Sequence, residues 1–185
     1  MDVAQSWLVR PHDSPFDLDN IHLSSLSDSE SVVGVEAVFD LDFLVIEGHA
    51  REPSGAPPRG VQLQLMTSNA TVPIADTLVV ANLGYLQFRA KPGVFELQIR
   101  PGRGREVYEM DSVGNEGWNS RGVADVGNEI TLTSFEGLTL YPRIKRREGM
   151  ETAEVLNEVG ASGSQNVFAP ILTWYERTHY HRLTC

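Results

Sequence analysis

Residues Gly60–Gly93, GVQLQLMTSNATVPIADTLVVANLGYLQFRAKPG, pack three short runs of alternating apolar and polar residues between clusters of turn formers. A period of two puts alternate side chains on opposite faces of an extended strand, so each run can bury one face of a sheet. Connections this short join antiparallel neighbours, because a parallel pair needs a crossover of about a dozen residues or more. The segment therefore commits this part of the chain to antiparallel β-structure.

The same signal extends in both directions. From Val35 the run VEAVFDLDFLVIEGHA places Val35, Ala37, Phe39, Leu41, Phe43 and Val45 on one face. Glu36, Val38, Asp40, Asp42, Leu44 and Ile46 fall on the other, which is polar in its middle and apolar at both ends. A long strand, bulged near Asp40–Asp42, fits that pattern best. Further strands are expected over Val61–Met66, Pro73–Val79, Leu86–Ala90, Val94–Arg100, Glu106–Met110, Glu129–Thr133 and Leu138–Lys145, with turn clusters between them. About eight strands with turns every 8–12 residues or so read as an all-β fold, an antiparallel β-sandwich. The sandwich is expected over residues 32–146. Residues 1–31, with six acids against Arg10, form an extended lead-in, and 147–185 a linker and divergent, poorly ordered tail with a possible helix at Glu151–Val159.

Charge narrows the partners. The 185 residues carry 15 basic and 25 acidic side chains, a net −10. A nucleic-acid binder needs a basic face to displace counterions, and docking on anionic lipid needs the same. The cluster Arg143, Lys145, Arg146, Arg147 reads most simply as the solvated end of the last strand. No run approaches the 18 or so apolar residues of a membrane helix. The one cysteine, Cys185, allows no internal disulfide and leaves the redox compartment open. The N-terminus lacks a secretory leader pattern, so the chain taken alone reads as cytosolic.

Several constellations resemble chemistry. Asp40-Leu41-Asp42 has the spacing with which many glycosyltransferases hold a metal and a sugar nucleotide, but here it lies mid-strand, where a solvated face is the simpler reading. Asp17-Leu18-Asp19 reads as loop or capping charge. His49 at a strand end could act as a base, yet no motif places a nucleophile beside it. His179-Tyr180-His181 could hold a metal weakly if a third ligand came from elsewhere. Gly160-Ala161-Ser162-Gly163-Ser164 misses the nucleophile-elbow spacing, and Gly102-x-Gly104 reads as a hairpin turn rather than a phosphate cradle. Asn69-Ala70-Thr71 is an N-glycosylation acceptor triplet in a polar loop, a triplet that also arises by chance. Trp118, in the longest loop (Ser112–Gly127), and Trp174 and Tyr175 are candidate sugar or protein contacts. The residues themselves thus give no catalytic, cofactor or metal site.

A series of longer words carries more information: Ser6-Trp7-Leu8-Val9, Pro15-Phe16-Asp17-Leu18-Asp19-Asn20-Ile21, Leu44-Val45-Ile46-Glu47-Gly48-His49 and Pro57-Pro58-Arg59-Gly60-Val61-Gln62-Leu63. They continue with Asp76 to Gln87 (DTLVVANLGYLQ), Lys91-Pro92-Gly93 and Pro101-Gly102-Arg103. In order and spacing, over roughly residues 5–146, they resemble the UDP-glucose:glycoprotein glucosyltransferase family. The resemblance implies a β-sandwich lying after thioredoxin-like domains and directly before the C-terminal glucosyltransferase domain. It implies residence in the endoplasmic reticulum lumen, where the family returns glucose to high-mannose glycans of misfolded glycoproteins with a divalent cation, calcium or manganese. No residues here match the family's catalytic pocket, so this chain alone is expected to be inactive and without a cofactor. Its expected partners are the neighbouring domains and, through the whole protein, misfolded clients. The tail from about Met150 does not share the resemblance.

Two rival readings come from other classes. A free-standing carbohydrate- or protein-binding sandwich would present an exposed aromatic platform at Trp118. A small enzyme would bring His49, Asp40 and Asp42 into one cleft with perturbed ionisation.

Overall fold

In the computed structural model, residues 3–26, 34–68 and 70–156 are described. They form ten strands, β1 Trp7–Asp13, β2 Val38–His49, β3 Gln62–Met66, β4 Ala75–Leu78, β5 Tyr85–Ala90, β6 Gly93–Ile99, β7 Tyr108–Ser112, β8 Glu129–Leu132, β9 Leu138–Leu140 and β10 Arg143–Arg146. Two short helices, α1 Arg103–Val107 and α2 Val123–Val126, flank β7, and a 3-10 turn covers Leu23–Ser25.

One sheet runs β4-β3-β6-β8, every neighbour antiparallel. The other is organised on β2, which pairs with β5 along one edge; along its other edge lie β1, then β9. β10 pairs with β7 as a ribbon, and an Arg51↔Arg143 bridge joins that ribbon to the chain leaving β2. Alternation does the sorting. In β5 Leu86, Phe88 and Ala90 are buried while Gln87 and Arg89 are exposed, and in β6 Phe95, Leu97 and Ile99 are buried. Side chains from both sheets and the ribbon make one core, including Leu44, Ile46, Phe88, Leu63, Leu97, Ile130 and Ile144. Burying each such side chain stabilises the fold by roughly 1.5–3 kcal/mol before chain entropy is counted. The all-β expectation is met.

The differences from the sequence reading have local causes. The lead-in contributes a strand: β1 is hydrogen-bonded along β2. Leu138–Lys145 is two strands rather than one, because Pro142 lacks a ladder donor and the chain turns there from β2's edge to β7. The expected strand at Glu106 starts at Tyr108, and Gly102 with Gly104 opens α1 instead of a hairpin. β9 runs parallel to β2, a departure from a purely antiparallel fold. It lies so close that a Cβ on Gly48 would collide with the Leu140 carbonyl, which is why a glycine stands at the buried end of β2. The expected bulge is present. Leu8 faces Phe43 and Val9 faces Leu41, leaving Asp42 as the extra residue.

Residues 147–156 lie along the sandwich. Met150, Ala153 and Val155 pack against the core, and the Arg147 amide donates to the Val107 carbonyl at 2.8 Å. The described part of the expected Glu151–Val159 helix, 151–156, is turns and bends. The Met150 and Ala153 carbonyls accept from the Arg146 side chain, not from a helical ladder.

Candidate functional site

The bulge and the β1–β2 ladder decide the fate of Asp40 and Asp42. Asp40 accepts from His12 Nδ1 at 2.8 Å, and Asp42 lies 3.9 Å from Arg10 Nε. The four side chains are between 32% and 66% exposed, so these are solvated cross-strand polar pairs. His49 stacks edge-on against Tyr85 at 5.5 Å. It stands nine residues along β2 from Asp40, about 30 Å away at strand rise. The three residues do not share a cleft, and the small-enzyme reading falls. Asp17 caps a turn, its carboxylate accepting from the Asp19 amide at 3.3 Å.

Trp118 is not an exposed platform. It is half-buried, with the Arg51 guanidinium 4.5 Å over its ring and Tyr141 edge-on at 5.0 Å. Its carbonyl accepts from Arg143 Nη1 at 2.6 Å. The loop indole is a packing post. Asn69, Gly160–Ser164, Trp174, Tyr175, His179, His181 and Cys185 lie outside the described residues.

The basic cluster is more structured than a solvated strand end. Across the β7–β10 ribbon Arg143 pairs with Asp111 at 3.0 Å, and Lys145 and Arg147 both pair with Glu109 at 3.1 Å. Arg146 turns inward instead. Its Nε donates to Glu52 Oε2 at 3.3 Å, its guanidinium lies 4.9 Å over the Tyr108 ring, and its Nη1 donates to the Ala153 carbonyl at 2.6 Å. Tyr108, 1% exposed, donates its hydroxyl to Glu52 Oε1 at 2.9 Å. Burial, then the Glu52 carboxylate, push the Tyr108 hydroxyl up to about 12, with Arg146 pulling the other way. Glu52, Tyr108 and Arg146 thus form a shielded polar group held by a hydrogen bond, an ion pair and a cation–ring contact. Nothing in the sequence announces it, since Glu52 sits in a proline-rich loop and Tyr108 in a short strand.

A shallow cleft of about 380 Å³ opens where β1, β2 and β9 meet, with Glu47 and Glu136 in its wall. Tyr85 donates to Glu47 at 3.1 Å, and burial together with that carboxylate raises the Tyr85 hydroxyl above its ordinary range. No group of three His, Cys, Asp or Glu side chains placed to hold a metal occurs among the described residues.

Comparison with known proteins places this arrangement. The family model described as UDP-glucose:Glycoprotein Glucosyltransferase matches residues 47–157. The chain is 34% identical to the UDP-glucose:glycoprotein glucosyltransferase of Drosophila melanogaster over 168 residues, 90% of this chain and 10% of the relative. It is 35% identical over 175 residues to human UDP-glucose:glycoprotein glucosyltransferase 1, covering 94% of this chain and 11% of the relative. A probable homologue in Dictyostelium discoideum is 31% identical over 86% of this chain. The family match runs to residue 157, so the likeness takes in part of the tail from about Met150 that was expected to lie outside it, and the chain spans about a tenth of the length of the curated relatives it matches. A family match over more than half of the chain, with relatives at 34% and 35% identity over nine-tenths of it, leaves one conclusion: the chain belongs to the UDP-glucose:glycoprotein glucosyltransferase family.

Proposed function

We propose that this chain is the β-sandwich that scaffolds the sensor region of a glycoprotein glucosyltransferase against its catalytic domain in the endoplasmic reticulum lumen. The observation that carries the reading is the shielded clasp on residues 147–156. A sandwich that ties the segment after β10 down through a partly buried arginine is built to fix the direction in which the chain leaves it, whereas Asp40 and Asp42 are taken up in solvated pairs. The glucose donor, the divalent cation (calcium or manganese) and the misfolded glycoprotein engage other parts of the full-length protein. Asn69 carries a glycan in that compartment, which a glycosidase-sensitive mobility shift lost in Asn69→Gln would report.

The test replaces residues 38–146 of the intact protein by a flexible linker. Scaffolding predicts that glucose transfer to a misfolded glycoprotein is lost while hydrolysis of UDP-glucose persists. Transfer that survives the replacement, or transfer by the 185-residue chain alone, overturns the reading.

A further inference from the structure

We infer that Arg146 is a positioning residue that latches residues 147–156 onto the sandwich, so that the path of the chain beyond β10 is set by one guanidinium more than by apolar packing. Three different parts of the chain meet at it. Glu52 comes from the loop after β2, Tyr108 opens β7, and the Met150 and Ala153 carbonyls belong to the strap itself. The Arg146 and Glu52 side chains are only 23% and 14% exposed, so their attraction is less screened than that of the ladder pairs on the ribbon's outer face.

The chemistry asks for arginine. Nε faces the carboxylate while Nη1 reaches Ala153 O at 2.6 Å and Met150 O at 3.4 Å, and the flat face of the same group covers the tyrosine ring. A planar fork satisfies these directions at once, whereas a lysine ammonium is a point donor that cannot. Tyr108 holds the other oxygen of Glu52, fixing the carboxylate toward the guanidinium. By contrast the strap's apolar contacts are partial: Met150, Ala153 and Val155 pack against the core but are only partly buried, and Leu156 is 57% exposed beside Gly60. The backbone ties the strap to the sandwich at its root, where the Arg147 amide donates to the Val107 carbonyl; further along, its bonds are short-range, from Met150 to Arg147 and from Ala153 to Met150, and reach no sandwich residue.

Amide exchange in the 185-residue chain tests the latch. Arg146→Lys keeps the charge and the fold. It is expected to speed exchange at Met150 and Ala153 by about 10-fold or more, the worth of a charge-assisted hydrogen bond, with Leu65 and Leu97 in the core unchanged. Val155→Ser, which removes an apolar contact but leaves the guanidinium, is expected to change strap exchange less than about 3-fold. Strap protection that survives Arg146→Lys, or that is lost in Val155→Ser to a greater degree than in Arg146→Lys, overturns the latch. The inference rests on the scaffold reading only for its consequence, and the two fail separately. If Arg146→Lys frees the strap but glucose transfer by the intact protein is unaltered, the latch stands and the scaffold reading falls.

Discussion

Asp40 and Asp42 in β2, and Glu52 just past its end, are carboxylates of one short stretch of chain with opposite fates. The first two have the spacing that suggests a sugar-nucleotide site, and the structure spends them on exposed pairs with His12 and Arg10. Glu52 has no motif around it, and it anchors a tyrosine hydroxyl and an arginine in a shielded corner. Spacing along a chain therefore says less about importance than what a side chain faces once the sheets close. An exposed pair gains little because water competes for both charges, whereas a shielded pair costs much to break because the partner left behind cannot be resolvated.

The contrast can be broken at several points. Glu52→Ala strips Arg146 of its counter-charge and Tyr108 of its acceptor together, and is expected to lower unfolding free energy by about 3 kcal/mol in denaturant titration. Gly48→Ala forces β9 off β2 and should cost about 1–3 kcal/mol, with exchange protection lost first at Leu138–Leu140. Alkali provides the next effect. Tyr108 is raised from 10.0 to about 12 in the fold, so the stabilisation from its protonated form is whole below pH 10.0 and is lost as pH rises through about 12. Tyrosinate absorbance should show a late-titrating component that is lost in Tyr108→Phe, whose stability profile over that window is flatter. Asp40→Asn and Asp42→Asn should each shift stability by no more than about 0.5 kcal/mol, an effect that salt erases.

The all-β fold is largely legible in the sequence, because burial on one face leaves a period of two in β5, β6 and β8, and glycine and proline mark the turns. Even the bulge showed, as a polar interruption at Asp40–Asp42. What could not be read was pairing at a distance. β1 looks like an acidic lead-in because its polarity is matched by β2 and not by its own neighbours. Leu138–Lys145 reads as one strand because Pro142 is a single letter, while the change of partner it causes lies in three dimensions. The clasp was hidden for the same reason. Glu52 stands 56 residues from Tyr108 and 94 from Arg146, and Arg146 is indistinguishable in sequence from the solvated Lys145 and Arg147 beside it.

If this part of a glycoprotein glucosyltransferase holds and does not react, as proposed, glucose transfer from UDP-glucose to a misfolded glycoprotein by the intact protein carrying Asp40→Asn with Asp42→Asn proceeds at the wild-type rate. A loss of transfer with an unchanged melting curve would mean that these carboxylates take part in the chemistry, and would overturn the proposal.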